Sequence, residues 1–281
     1  MKVGRGSCSG TFGELVQGII DEHPFLITLP VRDLKSNALF VPERGAVDIV
    51  TVPARQKAKI ACEKLLGTFG IKRGGYLHIQ SNIPIGKGMA SSSADIIAAV
   101  RAVADSYSFP VTEELISRIA AEIEPTDGLM YEGVVAYDYL NGKLIKAFDS
   151  LPPFILIGFD IGGSVDTVEF NQKKKEYSEK HKKKFRRAYE LVNKGIEGGN
   201  FAYLCEAATI SSRINQQLLP KPYFEELEQL ARQYNGGVVV AHSGTVAGIL
   251  LDAQMPNIQA VSRRIKQQLH LLRGSSILQF S

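Results

Sequence analysis

Apolar positions along the 281-residue chain change period several times, and each change predicts an element. Ile96, Ile97, Val100 and Val103 recur at helical spacing, which predicts a helix over Ser91–Tyr107. The run before it, Tyr76–Ser81, reads as a strand, as do Phe25–Leu29 and Ala46–Val52, whereas Gln56–Phe69 reads as a helix. A further helix is predicted over Thr112–Glu124, with Thr112 as N-cap beside Glu113 and Glu114. In "VVAYDYLNGKLIKAF" the Asn141-Gly142 pair stands between two alternating runs and predicts a hairpin. After Pro152-Pro153, "PFILIGFDIGG" predicts a buried strand, followed by helices near Lys180–Gly195, Phe201–Leu219 and Tyr223–Tyr234. The tail closes with strand "GGVVVAH", turn, strand "VAGILLD", helix "NIQAVSRRIKQQL" and a short last strand. Helix, strand, strand, helix, strand is a split βαβ pattern. Pro152-Pro153 divides the chain into units of 1–150 and 151–281.

Composition adds exclusions. Apolar residues make up 44% and charged residues 22%, which are globular proportions. No apolar run approaches the roughly 20 residues of a membrane helix, and "MKVGRGSCSG" has no signal-peptide h-region. Cys8, Cys62 and Cys205 are few, odd in number and widely spaced, so neither a disulfide framework nor a zinc site is expected, and a cytoplasmic location is. The net charge of +4 conceals the run "KKKEYSEKHKKKFRR" (Lys173–Arg187), whose own charge is +7, leaving −3 for the rest. With Phe185, Tyr189 and Val192 as an inward stripe, this run reads as a solvated helix face and not as a nucleic-acid site.

Candidate chemistry starts at "SNIPIGKGMASSSADIIAAV" (81–100). A strand, a turn holding Pro84, Gly86 and Gly88, and a helix opening on Ser91, Ser92 and Ser93 present free N–H groups and the positive end of a helix dipole, which suits an anion. The Walker pattern fails, because Gly86-Lys87 is followed by Gly88 and not by Ser or Thr; the dinucleotide fingerprint is absent too. What remains is P-x-x-x-G-x-x-S-S-S-A, from Pro84 to Ala94.

That stretch resembles the phosphate-binding motif of the GHMP kinases, with Met89 for Leu, Ala90 for the second Gly and Ser93 for Ala. "GSCSGTFGELVQG" resembles the family's first motif through Gly13-Glu14, and "GGVVVAHSGTVAGILL" its third through Ser243-Gly244. The resemblance implies an α+β, two-lobed GHMP kinase fold: an N-terminal lobe like ribosomal protein S5 domain 2, which binds ATP, and a C-terminal ferredoxin-like split βαβ lobe. It implies ATP and Mg2+ as cofactors, with Pro84, Gly86, Lys87, Gly88, Met89, Ala90, Ser91, Ser92 and Ser93 holding the phosphates. Asp127 in "AAEIEPTDGLMYEG" is the implied catalytic carboxylate, and Ser92 with Glu124 (Glu122 being the alternative) the implied metal ligands. Glu14, Asp166, Thr167, Ser243 and Gly244 are the implied substrate contacts, with Ser164 beside them and Arg213 and Asn215 as weaker candidates.

"FGELVQG", "GKGMASSSADI", "EIEPTDG" and "LLPKPYFEEL" resemble a narrower branch, the L-threonine kinases of cobalamin biosynthesis. A small hydroxyl-bearing substrate, L-threonine, is the partner this implies. Nucleic acid and membrane are not, and a homodimer is a possible assembly. Another GHMP small-molecule kinase (homoserine, mevalonate or sugar type) and a non-catalytic regulator on the same fold are the alternatives. Lys221, between Pro220 and Pro222, is expected at the surface.

Overall fold

The computed structural model describes residues 2–148, 150–165, 170, 176–273 and 277–281. It opens with a long antiparallel hairpin, β1 (Gly4–Ile20) and β2 (His23–Pro42), turned at Asp21 and Glu22, both with positive φ. β4 (Gly75–Ser81) pairs with β2, the short β3 (Ile49–Val50) runs parallel to β4, and the hairpin β5 (Val134–Asp138) and β6 (Lys143–Phe148) branches from β2. α1 (Gln56–Thr68), α2 (Ser91–Tyr107) and α3 (Glu113–Ala121) complete this half, and Thr112 caps α3 by accepting from the Leu115 N–H.

The second half contributes β7 (Phe154–Asp160), α4 (Glu179–Glu197), α5 (Phe201–Leu218), α6 (Phe224–Gln233), β8 (Gly237–Val240), β9 (Val246–Asp252), α7 (Ile258–Arg273) and β10 (Leu278–Phe280). Its strands lie in the order β10-β7-β9-β8, the 4-1-3-2 antiparallel arrangement of a ferredoxin-like unit. A single register pair, Glu14 with Val240, joins β8 to β1 and makes the sheet continuous. Most apolar side chains share one core around α2; a second cluster forms in the second half around Ile157, Phe224, Val238 and Ile265. α2 is buried on nearly all sides, so it is the central helix of the first half.

The predicted helices and the strand–strand–helix–strand tail form as expected. Three elements differ. β1, a 17-residue strand, has no counterpart in the sequence reading, because "GRGSCSGTFG" carries little strand propensity. The glycines serve packing instead: a Cβ on Gly4 would stand 2.0 Å from Ala102 O, and one on Gly6 2.2 Å from Ala98 O, so α2 lies directly on the β1 backbone. Ala46–Val52 is reduced to the two-residue β3. α3 stops at Ala121, which puts Glu122 and Glu124 in the following turn and not on a helix. No helix among the described residues is long and apolar enough to cross a membrane, and all three cysteines are free and buried.

Candidate active site

β4 and α2 are joined by the Pro84–Ala90 loop, whose backbone takes positive φ at Gly86 (73°), Gly88 (75°) and Ala90 (61°). Ala90 is the N-cap of α2 and offers no side-chain cap, so the first-turn N–H groups of the helix stay open to an anion. Ser91 and Ser93 are buried, whereas Ser92 is exposed. The loop is held from three sides. Met89 is 1% exposed and roots it in the core, and its carbonyl accepts from the Thr11 N–H of β1 at 3.1 Å. The Lys87 carbonyl accepts from the Thr245 N–H at 3.0 Å. Gly88 and Gly244 lie in direct backbone contact: a Cβ on Gly244 would stand 2.4 Å from Gly88 Cα and 2.2 Å from Lys87 O. The glycine at 244 is thus demanded by this loop-to-loop packing; its own φ is not positive. The Lys87 ammonium turns to the second half, 2.7 Å from Asp160 and 2.6 Å from Gly163 O.

Beside the loop a cavity of about 130 Å³ brings together Glu14, the serine loop, Glu124 to Asp127 and His242-Ser243, with Leu26 and Tyr139 completing its lining. Four larger depressions among the described residues, of about 800, 840, 340 and 430 Å³, lie elsewhere and include no residue of the serine loop. Ser93 donates to Asp127 Oδ2 at 3.4 Å. Burial, and then the charge of Glu124, push the Asp127 carboxyl up to about 6, with the Ser93 hydrogen bond opposing the rise. Glu124 is salt-bridged to Lys57 through Oε2, while its buried Oε1 has no partner among the described residues. Glu122 points away, pairing with Lys64 at the surface. Within α2, Asp95 accepts from Ser36 at 2.6 Å and pairs with Arg55, with burial as the main influence raising its carboxyl.

Glu14 is 3% exposed, with Oε2 unpartnered among the described residues. Its carboxyl lies well above the usual range, driven by burial and then by Asp127, against a hydrogen bond from the His242 backbone N–H. The register of β1 against β2 shifts between Glu14 and Val16. This bulge resets the alternation, so Glu14 and Gln17, three residues apart, both approach His242. Gln17 Oε1 lies 2.7 Å from His242 Nδ1 and accepts from Asn215 Nδ2 at 2.7 Å; the same Asn215 nitrogen donates to His242 O at 3.3 Å. Sequence reasoning did not find Gln17 or His242. The only signal was the position of each beside a glycine-rich motif.

Among the remaining sequence candidates, Ser164 stands against Gly86, whose O accepts from the Val165 N–H at 3.3 Å. Arg213 is engaged by Glu228 of α6, and Asn215 belongs to the His242 network. Asp166 and Thr167 lie outside the described residues, as do Lys173–Lys175 of the basic run. Later in that run, Lys182 and Arg186 pair with Glu22 and Asp21 at 2.6 Å each, and Arg187 with Glu206. Lys221 is not at the surface: it is 2% exposed.

The loop fits a polyphosphate, since positive-φ residues and an uncapped helix start turn N–H groups outward where side chains are absent. No group of three or more His, Cys, Asp or Glu side chains among the described residues could cage a metal. The residues present suit a cation that keeps most of its shell from phosphate and water, with Glu124 Oε1 and the Ser92 hydroxyl as the protein's share.

Comparison with known proteins agrees with this geometry. Residues 56–132 match the GHMP kinases N terminal domain. The chain is 28% identical over 272 residues to an L-threonine kinase of Citrobacter freundii, covering 93% of this chain and 91% of that one. It is 27% identical over 272 residues to an L-threonine kinase of Salmonella typhimurium, covering 95% and 89%. Among solved structures, homoserine kinase from Cytophaga hutchinsonii superposes with a TM-score of 0.77 at 15% identity, over 100% of this chain and 95% of that one. A mevalonate kinase does so with a TM-score of 0.70 at 14% identity, over 98% and 97%. Residues 56–132 thus carry the GHMP kinases N terminal domain, and the chain over its full length shares the α+β fold of these solved kinase structures.

Proposed function

We propose that this kinase transfers the γ-phosphoryl group of ATP to the side-chain hydroxyl of L-threonine, yielding L-threonine O-3-phosphate and ADP for cobalamin biosynthesis. The observation that carries the reading is the meeting of Glu14, Ser91–Ser93, Asp127 and His242-Ser243 around one cavity. Likeness to the two L-threonine kinases over nine-tenths of the chain supports the choice of substrate. Residues 1–150 form the nucleotide-binding lobe in this reading, and 151–281 the lobe that closes over it.

The N–H groups of the 86–91 backbone bind the β- and γ-phosphates, and the α2 dipole offsets their charge. Lys87, bound to Asp160, ties that loop to the second lobe. Ser92 and Glu124 are the residues that would hold a magnesium ion, which would supply further charge neutralisation. Asp127 accepts the proton as the threonine oxygen bonds to phosphorus and the bond to the ADP oxygen breaks. A carboxyl held near 6 is mostly ionised at neutral pH and still basic enough to take a proton. Ser93 orients it. Glu14, with its unpartnered oxygen, receives the substrate's ammonium group.

The test is ADP release with ATP, Mg2+ and a panel of hydroxy amino acids. Turnover with L-threonine and not with L-homoserine is the expected result. Preference for homoserine, or no turnover with any hydroxy amino acid, overturns the substrate assignment.

A further inference from the structure

Helix α1 carries Lys57 and Lys64, seven residues apart and so about 10 Å along its axis. Both reach the turn that follows α3. Lys57 donates to Glu124 Oε2, and Lys64 donates to Glu122 Oε2 at 2.6 Å. The two carboxylates differ in surroundings. Glu122 is exposed and takes no part in the cavity beside the serine loop. Glu124 is buried and lines that cavity, and its Oε1 has no partner among the described residues.

Lys57 itself is half exposed, so the pair is lopsided, a wet ammonium on a buried carboxylate. An ammonium in water adds little to stability, and a buried carboxylate with an unmade bond detracts from it. What the bond fixes is direction. The Glu124 backbone is held at the end of α3, its N–H donating to Ala120 O at 3.1 Å, but its side chain is long and can rotate. With Oε2 taken by Lys57, Oε1 is the oxygen left for the cavity. The start of α1 is fastened to α2 as well. Arg55, two residues before Lys57, pairs with Asp95, which lies about one helical turn after Ser92. The same end of α1 thus bears on both groups that would hold the cation of ATP, Ser92 and Glu124.

We infer that Lys57 is a positioning residue that aims Glu124 Oε1 at the divalent cation accompanying ATP, acting through Glu124 and touching neither phosphate nor substrate. The inference rests on the proposed kinase reading and deepens it, because it supplies the group behind the metal-facing carboxylate. A lysine that only fastened α1 to the turn would be interchangeable with Lys64, which makes the same kind of bond from the same helix.

The experiment measures, by calorimetry, the affinity of the folded chain for the imido analogue of ATP, which transfers no phosphoryl group. Binding is measured with Mn2+ and, in EDTA, without it, and the ratio of the two affinities is the gain due to the metal. Lys57→Met should cut that gain by about 10- to 100-fold, the scale on which a missing partner behind a metal ligand is felt, and leave the affinity in EDTA unchanged. Lys57→Arg should restore part of the gain, and Lys64→Met should leave it intact. In a Glu124→Gln background Lys57→Met should have no further effect, because the group it acts through is gone. An equal fall of affinity in EDTA would make Lys57 a phosphate contact, an equal loss in Lys64→Met would make both pairs mere fastenings, and an additive loss in the Glu124→Gln background would place its action elsewhere. Each of these overturns the inference. Should Lys57→Met not fold, Lys57→Gln takes its place with the same expected outcomes. No binding of the analogue in either condition sinks the kinase reading, and a full metal gain in Glu124→Gln removes Glu124 from the cation. Loss of the gain in Glu124→Gln beside an indifferent Lys57→Met sinks only this inference.

Discussion

Replacing Asp127 by Asn separates catalysis from stability in opposite directions. The carboxyl is raised from 3.8 to about 6, mainly by burial. At about 1.4 kcal/mol per pH unit, ionised Asp127 costs the fold about 3 kcal/mol, as an order of magnitude. Below about pH 4 folded and unfolded chains both hold the proton and the cost is absent. Between about pH 4 and 6 the unfolded chain ionises first, so stability falls as pH rises, and above about 6 the full cost is present. The carboxamide of the variant cannot ionise and escapes it. Unfolding entropy of about 2.1 cal/mol/K per residue amounts to about 0.6 kcal/mol/K for this chain, so Asp127→Asn should melt up to about 5 °C higher at pH 8 and at the wild-type temperature near pH 4. Over the same comparison kcat should fall by about 10² to 10⁴, with the ATP KM little changed, because a general base is lost and no phosphate contact is. In the wild type kcat/KM should decline below about pH 6, and the residual activity of the variant should lack that limb. Calorimetry at the two pH values and coupled ADP release across the range make the measurements. A variant that keeps more than about a tenth of the activity, or melts lower at pH 8, refutes the reasoning.

Ser92→Ala should lower turnover by about 10²-fold, the scale of losing one aimed donor or ligand, while melting stays put because the hydroxyl is exposed; unchanged ATP turnover would remove Ser92 from the site. Gly244→Val should lose melting temperature and activity together, since its Cβ would stand 2.2 Å from Lys87 O and force the phosphate loop to move; loss of activity alone would mean that Gly244 faces substrate instead. Duplex DNA at about 0.15 M salt should bind weakly and without sequence preference, the basic stretch of α4 being already paired in part with Asp21, Glu22 and Glu206. A sequence-specific nanomolar complex would favour the regulator reading.

What the sequence made legible was local. α2 could be bounded to the residue because a glycine turn, three serines and a 3.6-residue apolar period fall in order. The β8–β9–α7–β10 tail followed from alternation and turns in the same way. The long β1 was hidden because its glycines are selected by contact with α2, a tertiary demand that overrides strand propensity. The Gln17–His242 contact joins positions 225 residues apart through side chains that are ordinary in isolation. Lys221 misled for the same reason: a lysine between prolines reads as surface, and only the fold shows that its side chain is buried. Glu122 and Glu124 could not be told apart by spacing, since the end of α3 decides which one turns inward.

The position of the site follows from the way β1 changes partners. Along most of its length β1 pairs with β2, but the ladder shifts between Ser9 and Gly10, between Thr11 and Glu14, and again between Glu14 and Val16. Where that ladder breaks, the freed backbone is used elsewhere. The Thr11 N–H donates to Met89 O of the phosphate loop, and Glu14 takes the single pairing with Val240 that joins the two halves. Gly13 makes this crossing feasible: its φ is 63°, and a Cβ there would lie 2.8 Å from the Val240 backbone. The two parts of the sheet are thus joined there by one residue pair. The cavity beside that pair is lined by the residues that follow β8, the start of α2, the bulge of β1 and the 124–127 turn. The three glycine-rich motifs, distant in sequence, are therefore three sides of one junction. Gly13 lets β1 reach β8, Gly88 lets the phosphate loop reach the 243–245 turn, and Gly244 returns that contact. A substitution at any of the three should act on the other two, so paired variants such as Gly88→Ala with Gly244→Ala should cost less together than the sum of each alone.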